Sequence, residues 1–213
     1  MYYSLNEIES LCRKAARGAG MHWGLAEEAG KAARWLAVHG LPGPAVLADL
    51  LERHCEVAYG DLAPMALDGV WRARGENLCP LIAGATLTDR AETYRAGGVI
   101  TLGPTCHPLL LAPQAGSVAL GTGLAVTLEW DDVRFTVDAS QGLALAGAGT
   151  ALLAAMVAQV RIVVGVDVAG CRAPHARPQP VDAEVRRRLE ALAHRTYAPA
   201  SEASRLSGAG AKE

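Results

Sequence analysis

The chain has 213 residues, 51% of them apolar, which is enough to bury a core and too many for a disordered polymer. Lysine and arginine number 20 against 22 aspartates and glutamates, and a formal charge of -2 excludes any general pull towards nucleic acid or anionic lipid. Aromatic residues make up only 5%, with a single Phe, so the 23 Gly and many Ala describe a core of small side chains in which elements approach closely.

Ser4 and Glu7 have capping-box spacing, and Leu5, Ile8, Leu11, Cys12, Ala15 and Ala16 recur at helical intervals, predicting a helix over about Leu5 to Arg17. A second helix is predicted from about Leu25 to Val38, with Leu25, Ala29, Ala32, Ala33 and Leu36 on one face and Gly40 as the stop. Leu41-Pro42-Gly43-Pro44 reads as a turn, followed by a third helix over about Ala45 to His54. Beyond Gly75 the period changes. Val99–Leu102 and Leu109–Ala112 read as short strands joined by a six-residue loop, either a hairpin or a sheet corner. Leu124 to Val137 alternates on both sides of Asp131-Asp132; a two-residue loop there sets Trp130 opposite Val133, Leu128 opposite Phe135 and Val126 opposite Val137. The same register sets Glu129 against Arg134 and Thr127 against Thr136. Gln159–Val168 is another alternating strand, whereas Thr150–Ala158 fits helix or strand. Val181–His194 reads as a closing helix with Asp182 near its cap, and the residues after it form a Gly/Ser-rich tail.

These elements predict an α+β fold. A helical layer over about 1–75 lies on a mostly antiparallel sheet from about Leu87 to Val168, within a β-rich part over 80–170, and a closing helix over 181–195 completes one domain of residues 1–195. The tail is 196–213. The apolar run Gly142–Ala158, followed by Gln159 and Arg161, reads as buried core and not as a membrane span. Five cysteines without paired spacing point to neither a disulfide framework nor a zinc ribbon, and MYYSLNEIES shows no secretory signal, so a cytoplasmic location is expected.

Cys106 and His107 are the candidate catalytic residues, because a proline-bracketed loop can present a thiol and an imidazole on a rigid scaffold. The same loop also reads as a turn with a half-buried Cys. Glu202, Ser204 and Arg205, ahead of Gly208-Ala-Gly, are the candidate substrate-binding residues: a guanidinium, a hydroxyl and a close-approaching backbone suit a small anionic metabolite. Cys171 and His175, with Cys79, Cys106 or His107, lack paired metal-ligand spacing, so no metal is expected. Leu145–Gly149 and Leu206–Gly210 repeat Leu-x-Gly-Ala-Gly but match no phosphate-binding pattern, and no cofactor is expected. His39 and His54 read as helix terminators. Arg13, Lys14 and Arg17, and Arg186-Arg187-Arg188, read as solvated helix faces.

The opening SLNEIESLCRKAARGAGMHWGLAEEAGKAARWLAVHGLPG and the ending TYAPASEASRLSGAGA resemble a bacterial family catalogued only as a domain of unknown function. The resemblance covers essentially the whole chain. It implies no activity, and it marks Arg13, Trp23, Glu27, Glu202, Ser204 and Arg205 as positions in distinctive motifs. That family continues past Gly-Ala-Gly into an acidic Asp-Asn-Asp terminus, whereas this chain reads Ala211-Lys212-Glu213. In outline, two N-terminal helices ending in His-Gly are also similar to the start of the lactate/malate dehydrogenase-like reductases without a Rossmann fold. His39-Gly40 would be the matching site, where their motif reads Ser-His-Gly.

Two functions are therefore expected as alternatives. One is a small-molecule metabolic enzyme using acid-base or thiol chemistry near Cys106 and His107, with an anion-binding tail. The other is a non-catalytic accessory subunit or binding protein that docks on a partner enzyme, and a homo-oligomer suits the small-residue faces.

Overall fold

A computed structural model describes residues 2–147, 149–165, 171–173 and 179–196. After a two-residue strand, β1 (Tyr2–Tyr3), the Ser4 hydroxyl accepts from the Glu7 N–H at 3.2 Å and the Glu7 carboxylate accepts from the Ser4 N–H at 2.7 Å. That capping box opens α1 (Leu5–Gly18), and α2 (Trp23–Val38), α3 (Gly43–Arg53) and the short α4 (Tyr59–Leu62) follow. The turn expected over Leu41–Pro44 is shorter than that, because α3 already starts at Gly43. Pro44 falls in its first turn, where a missing N–H leaves nothing unpaired.

Next come β2 (Val70–Trp71), α5 (Pro80–Asp89), β3 (Val99–Leu102), β4 (Thr105–Cys106) and α6 (Ala112–Thr122). The chain continues through β5 (Val126–Trp130), β6 (Val133–Val137), β7 (Leu143–Ala146), β8 (Met156–Val157), β9 (Val160–Val164), β10 (Gln179–Pro180) and α7 (Ala183–His194). The fold is α+β: one six-stranded sheet runs β2-β3-β9-β5-β6-β7, parallel only between β2 and β3.

The β5–β6 hairpin has the register expected from alternation, with Trp130 opposite Val133, Leu128 opposite Phe135 and Glu129 opposite Arg134. Asp131 takes the left-handed φ of 46° that a two-residue loop demands. On the second face the Thr127 and Thr136 hydroxyls meet at 2.9 Å, and Glu129 links Arg134 of β6 to Arg161 of β9. Three strands are thereby joined through one carboxylate. On the first face, Leu128, Trp130 and Phe135 are buried and α6 packs on β5 and β6, its other side meeting α2 and α5.

The helical layer depends on small residues. Ala26, Ala29, Ala32 and Ala33 of α2 are fully buried, and a Cβ on Gly30 would come within 2.8 Å of the Glu9 carbonyl oxygen of α1. α7, capped by the Asp182 carboxylate on the Glu184 and Val185 N–H groups, packs on α1 and α3. Arg188 of α7 reaches both Asp49 and Glu52 of α3. Among the described residues no helix is long and apolar enough to cross a membrane.

Three expectations need correction. Leu109–Ala112 is not a strand: Pro108–Leu111 forms a 3-10 turn that runs into α6, since four consecutive apolar residues suit any buried backbone. Leu87, the expected start of the sheet, lies in α5. The run Gly142–Ala158 is not buried core, because β7 is an edge strand and Leu145 (39%), Leu153 (48%) and Met156 (40%) are exposed. Val166 and Val168 lie outside the described residues.

Candidate functional site

α3 ends where His54 takes a C-cap conformation, φ -100° and ψ 7°, which turns its ring inward at the base of the helical layer. Opposite it, Leu78 pairs with the chain beside β4: the Leu78 N–H donates to the Pro104 oxygen at 2.8 Å and the Cys106 N–H donates to the Leu78 oxygen at 3.3 Å. This short parallel bridge sets Asn77 and Cys106 beside the imidazole. His54 Nε2 lies 3.3 Å from Asn77 Oδ1 and 3.4 Å from Cys106 Sγ, and the Cys106 thiol donates to the Leu78 oxygen at 3.4 Å. His54 Nδ1 is buried and has no partner among the described residues.

The expected reactive residues, Cys106 and His107, thus sit in different surroundings. Cys106 is fully buried and its polar partners are His54 and Leu78, not its neighbour. His107 has a left-handed backbone, φ 40°, and gives its N–H to the Ala155 oxygen at 3.2 Å. Its ring is buried, which pushes the imidazole pKa down, with Asp49 acting against that and Arg53 and His54 adding to it. Burial likewise lowers His54, opposed by the Asn77 hydrogen bond and reinforced by Arg53. Burial raises the Cys106 thiol, and the nearby Cys79 raises it further. At rest, then, the pair is a protonated thiol beside a neutral imidazole.

Cys79 caps α5 at its N-terminus. The Leu81 and Ile82 amides favour its thiolate, but burial outweighs them and pushes the thiol up to about 11. Cys79 and His54 both line a cavity of about 270 Å³ between the α1–α2 turn, the chain after α3 and the start of α5. Met21, Leu25, Leu62 and Ile82 supply apolar walls, and His22, Glu56 and Tyr59 add polar ones. A second cavity of similar volume lies between the α2–α3 turn and the start of α7, lined by Gly40, Leu41, Pro42, Val181 and Asp182.

The other sequence candidates resolve into structural roles or fall beyond the described residues. Glu202, Ser204 and Arg205 lie outside them, as does His175. Among the described residues no group of three His, Cys, Asp or Glu side chains is placed to hold a metal ion. His39, the C-cap of α2, sits between the Trp35 oxygen at 2.9 Å and the Gln141 oxygen at 3.0 Å, which ties α2 to the turn before β7. Arg17 stacks over Trp23 at 4.7 Å. Arg186, Arg187 and Arg188 all pair with carboxylates of this chain, Glu190, Glu184, and Asp49 with Glu52. Asn77 does not stand out in the sequence, and Cys79 does so only as a possible metal ligand, because their place beside His54 and Cys106 depends on residues far away in the chain.

Residues 3–79 match the family described as "Protein of unknown function (DUF3726)". No curated protein matches the chain. Among solved structures, sulfolactate dehydrogenase from Methanocaldococcus jannaschii is similar with a TM-score of 0.54 and 8% identity, over 91% of this chain and 97% of that one. A dehydrogenase from Sinorhizobium meliloti gives 0.52 and 10%, over 91% and 94%. Malate dehydrogenase from Entamoeba histolytica gives 0.42 and 12%, over 68% of this chain, which spans 45% of that enzyme's length. At such identities the likeness to the first two is one of fold alone.

Proposed function

We propose that this protein is a small-molecule metabolic enzyme working by acid-base chemistry. In this reading His54 moves the proton, the Cys106 thiol is held against the same ring, and the cavity beside α5 is the binding site. One observation carries it: a buried imidazole touches a thiol through Nε2, leaves Nδ1 unpaired, and lines a cavity of metabolite size. A neutral imidazole with a free lone pair is the state a general base needs, and burial favours that state. His107, buried nearby with its own pKa lowered in part by His54, is kept in the reading as a neutral neighbour of that ring. The anion-binding role of Glu202, Ser204 and Arg205 belongs to the proposal as a separate arm, tested by truncation after Thr196.

The experiment is a thermal-shift screen of small metabolites on the wild-type protein and on His54→Gln. Hydroxy acids, sulfolactate included because of the dehydrogenase neighbour, come first. A true ligand at one hundred times its Kd stabilises by about 2.7 kcal/mol. The reading requires at least one compound that raises the wild-type Tm and loses that effect in His54→Gln; stabilisation indifferent to the substitution removes His54 from the site.

A second reading, the accessory subunit, draws on one observation: Tyr59, Met65, Leu67 and Val70 are exposed along the chain between α4 and β2. A metabolite screen without hits, together with a stable complex lost on Met65→Glu, would favour it.

A further inference from the structure

Resting on the reading of the cavity beside α5 as the binding site, we infer that this cavity takes the aromatic ring of a small molecule, with apolar side chains beneath it and the rings of His22 and Tyr59 at its mouth.

The walls come from separate segments of the chain. Met21 and Leu25 belong to the α1–α2 turn and the start of α2, Leu62 to the end of α4 and Ile82 to the first turn of α5. Such a lining receives any apolar body of the right size, because burial of apolar area is not directional. The volume of about 270 Å³ sets that size: an apolar cavity of about 150 Å³ already holds benzene, so one ring with a substituent fits. Met21 adds a first preference, since a thioether packs favourably at the edge of an aromatic ring.

The mouth decides between a flat ring and a saturated one. His22 and Tyr59 both line the cavity and both are exposed, Tyr59 by 53%. Among the described residues neither ring stacks on another, and His22, the N-cap of α2, makes no side-chain capping bond. The backbone fixes the place of each. Arg17 stacks over Trp23 and donates to the Met21 oxygen, which pins the turn that carries His22. Between α3 and α4, Glu56 takes a left-handed φ of 64°, uncommon outside glycine, and the Val57 N–H donates to the His54 oxygen at 3.1 Å. Tyr59 therefore starts α4 directly from a closed turn. Two preorganised π faces at the entrance of an apolar space favour a ring that stacks on them or meets them edge to face, and a saturated ring of equal size gains neither contact.

Benzyl alcohol and cyclohexylmethanol test this directly, since they share a framework and differ in ring saturation. The saturated ring is the more apolar of the two, so area burial alone would favour it. Each is titrated into protein with 13C-labelled Met and Leu methyls, and the Met21 and Leu25 resonances report affinity and position together. The expected result is benzyl alcohol binding about fivefold more tightly, with ring-current shifts at both methyl positions. In the double variant His22→Leu with Tyr59→Leu, which keeps apolar bulk at the mouth, the order of the two affinities reverses. Equal or reversed affinities in the wild type, or a preference for benzyl alcohol that survives the double variant, overturn the inference while leaving the cavity as a binding site. If neither alcohol binds but a metabolite in the thermal screen does, the ring assignment falls alone. If that screen also fails, the cavity is not a binding site and both readings fall.

Discussion

The thiols give the most direct test of how burial controls chemistry in this protein. Cys12, Cys79 and Cys106 are fully buried, whereas Cys55 and Cys171 are half-buried. Alkylation proceeds through the thiolate, so its rate near neutral pH follows the ionised fraction multiplied by access. Burial lifts Cys79 from 9.0 to about 11, which lowers its thiolate fraction roughly 100-fold, since each pKa unit is a factor of ten. Cys12 rises to about 12, roughly 1000-fold. Cys106 is shifted in the same direction by burial and by Cys79, and it also lacks exposure. Iodoacetamide labelling of the native protein, read peptide by peptide by mass spectrometry, should therefore modify Cys55 and Cys171 first. Cys79 should follow at least about 100-fold more slowly, with Cys12 and Cys106 slower again. In denaturant all five should react alike. If native Cys106 is alkylated within about threefold of Cys55, the protein opens around β4 often enough that ground-state burial does not govern the thiol. Nucleophilic chemistry by Cys106 would then become the stronger reading of the site.

Two further predictions concern packing and pH. A Cβ on Gly18 would land on the Leu192 carbonyl where α1 meets α7, so Gly18→Ala should destabilise by about 2 kcal/mol or more despite better helix propensity. Gly24→Ala, exposed in α2 with nothing within 4 Å, should stabilise by about 0.5 kcal/mol; urea unfolding of both variants checks the contrast, and matching signs would refute the close approach. His54 and His107 have folded-state pKa values below the ordinary 6.5, mainly through burial, so the native state holds both rings neutral. Their contribution is present above about pH 6.5 and is lost as pH falls below it, at up to about 1.4 kcal/mol per pH unit for each histidine. Denaturation midpoints measured across that window should fall on acidification, with a shallower slope in His54→Gln, and a flat profile would contradict the buried neutral rings.

Much of the fold is written locally in this chain. The helices α1, α2, α3 and α7 follow from 3.6-residue apolar periods with Ser4, Asp182 and Gly40 as boundary signals, and β5 and β6 follow from strict alternation on either side of two aspartates. These are properties of neighbours in sequence, so they survive without knowledge of the rest. α5 and α6 could not be read this way: each is apolar nearly all round, because it is covered on several sides, and a helix without a polar face has no period. The same limit hid the surface position of Gly142–Ala158, where composition resembles a core but an edge strand and its neighbours face outward.

The site shows the division most sharply. Cys106 is visible in the sequence as a thiol in a proline-bracketed loop, and His54 as a helix terminator, which its C-cap geometry makes it. Their contact spans 52 positions and the Asn77 contact 23, so no motif spacing joins them. Which segments curl, which extend and how one hairpin aligns can be read from the chain alone, because those preferences act over a few residues. That a helix end, a thiol and an asparagine meet at one imidazole follows from the folded molecule, since that meeting depends on how whole layers pack and on water being squeezed from between them.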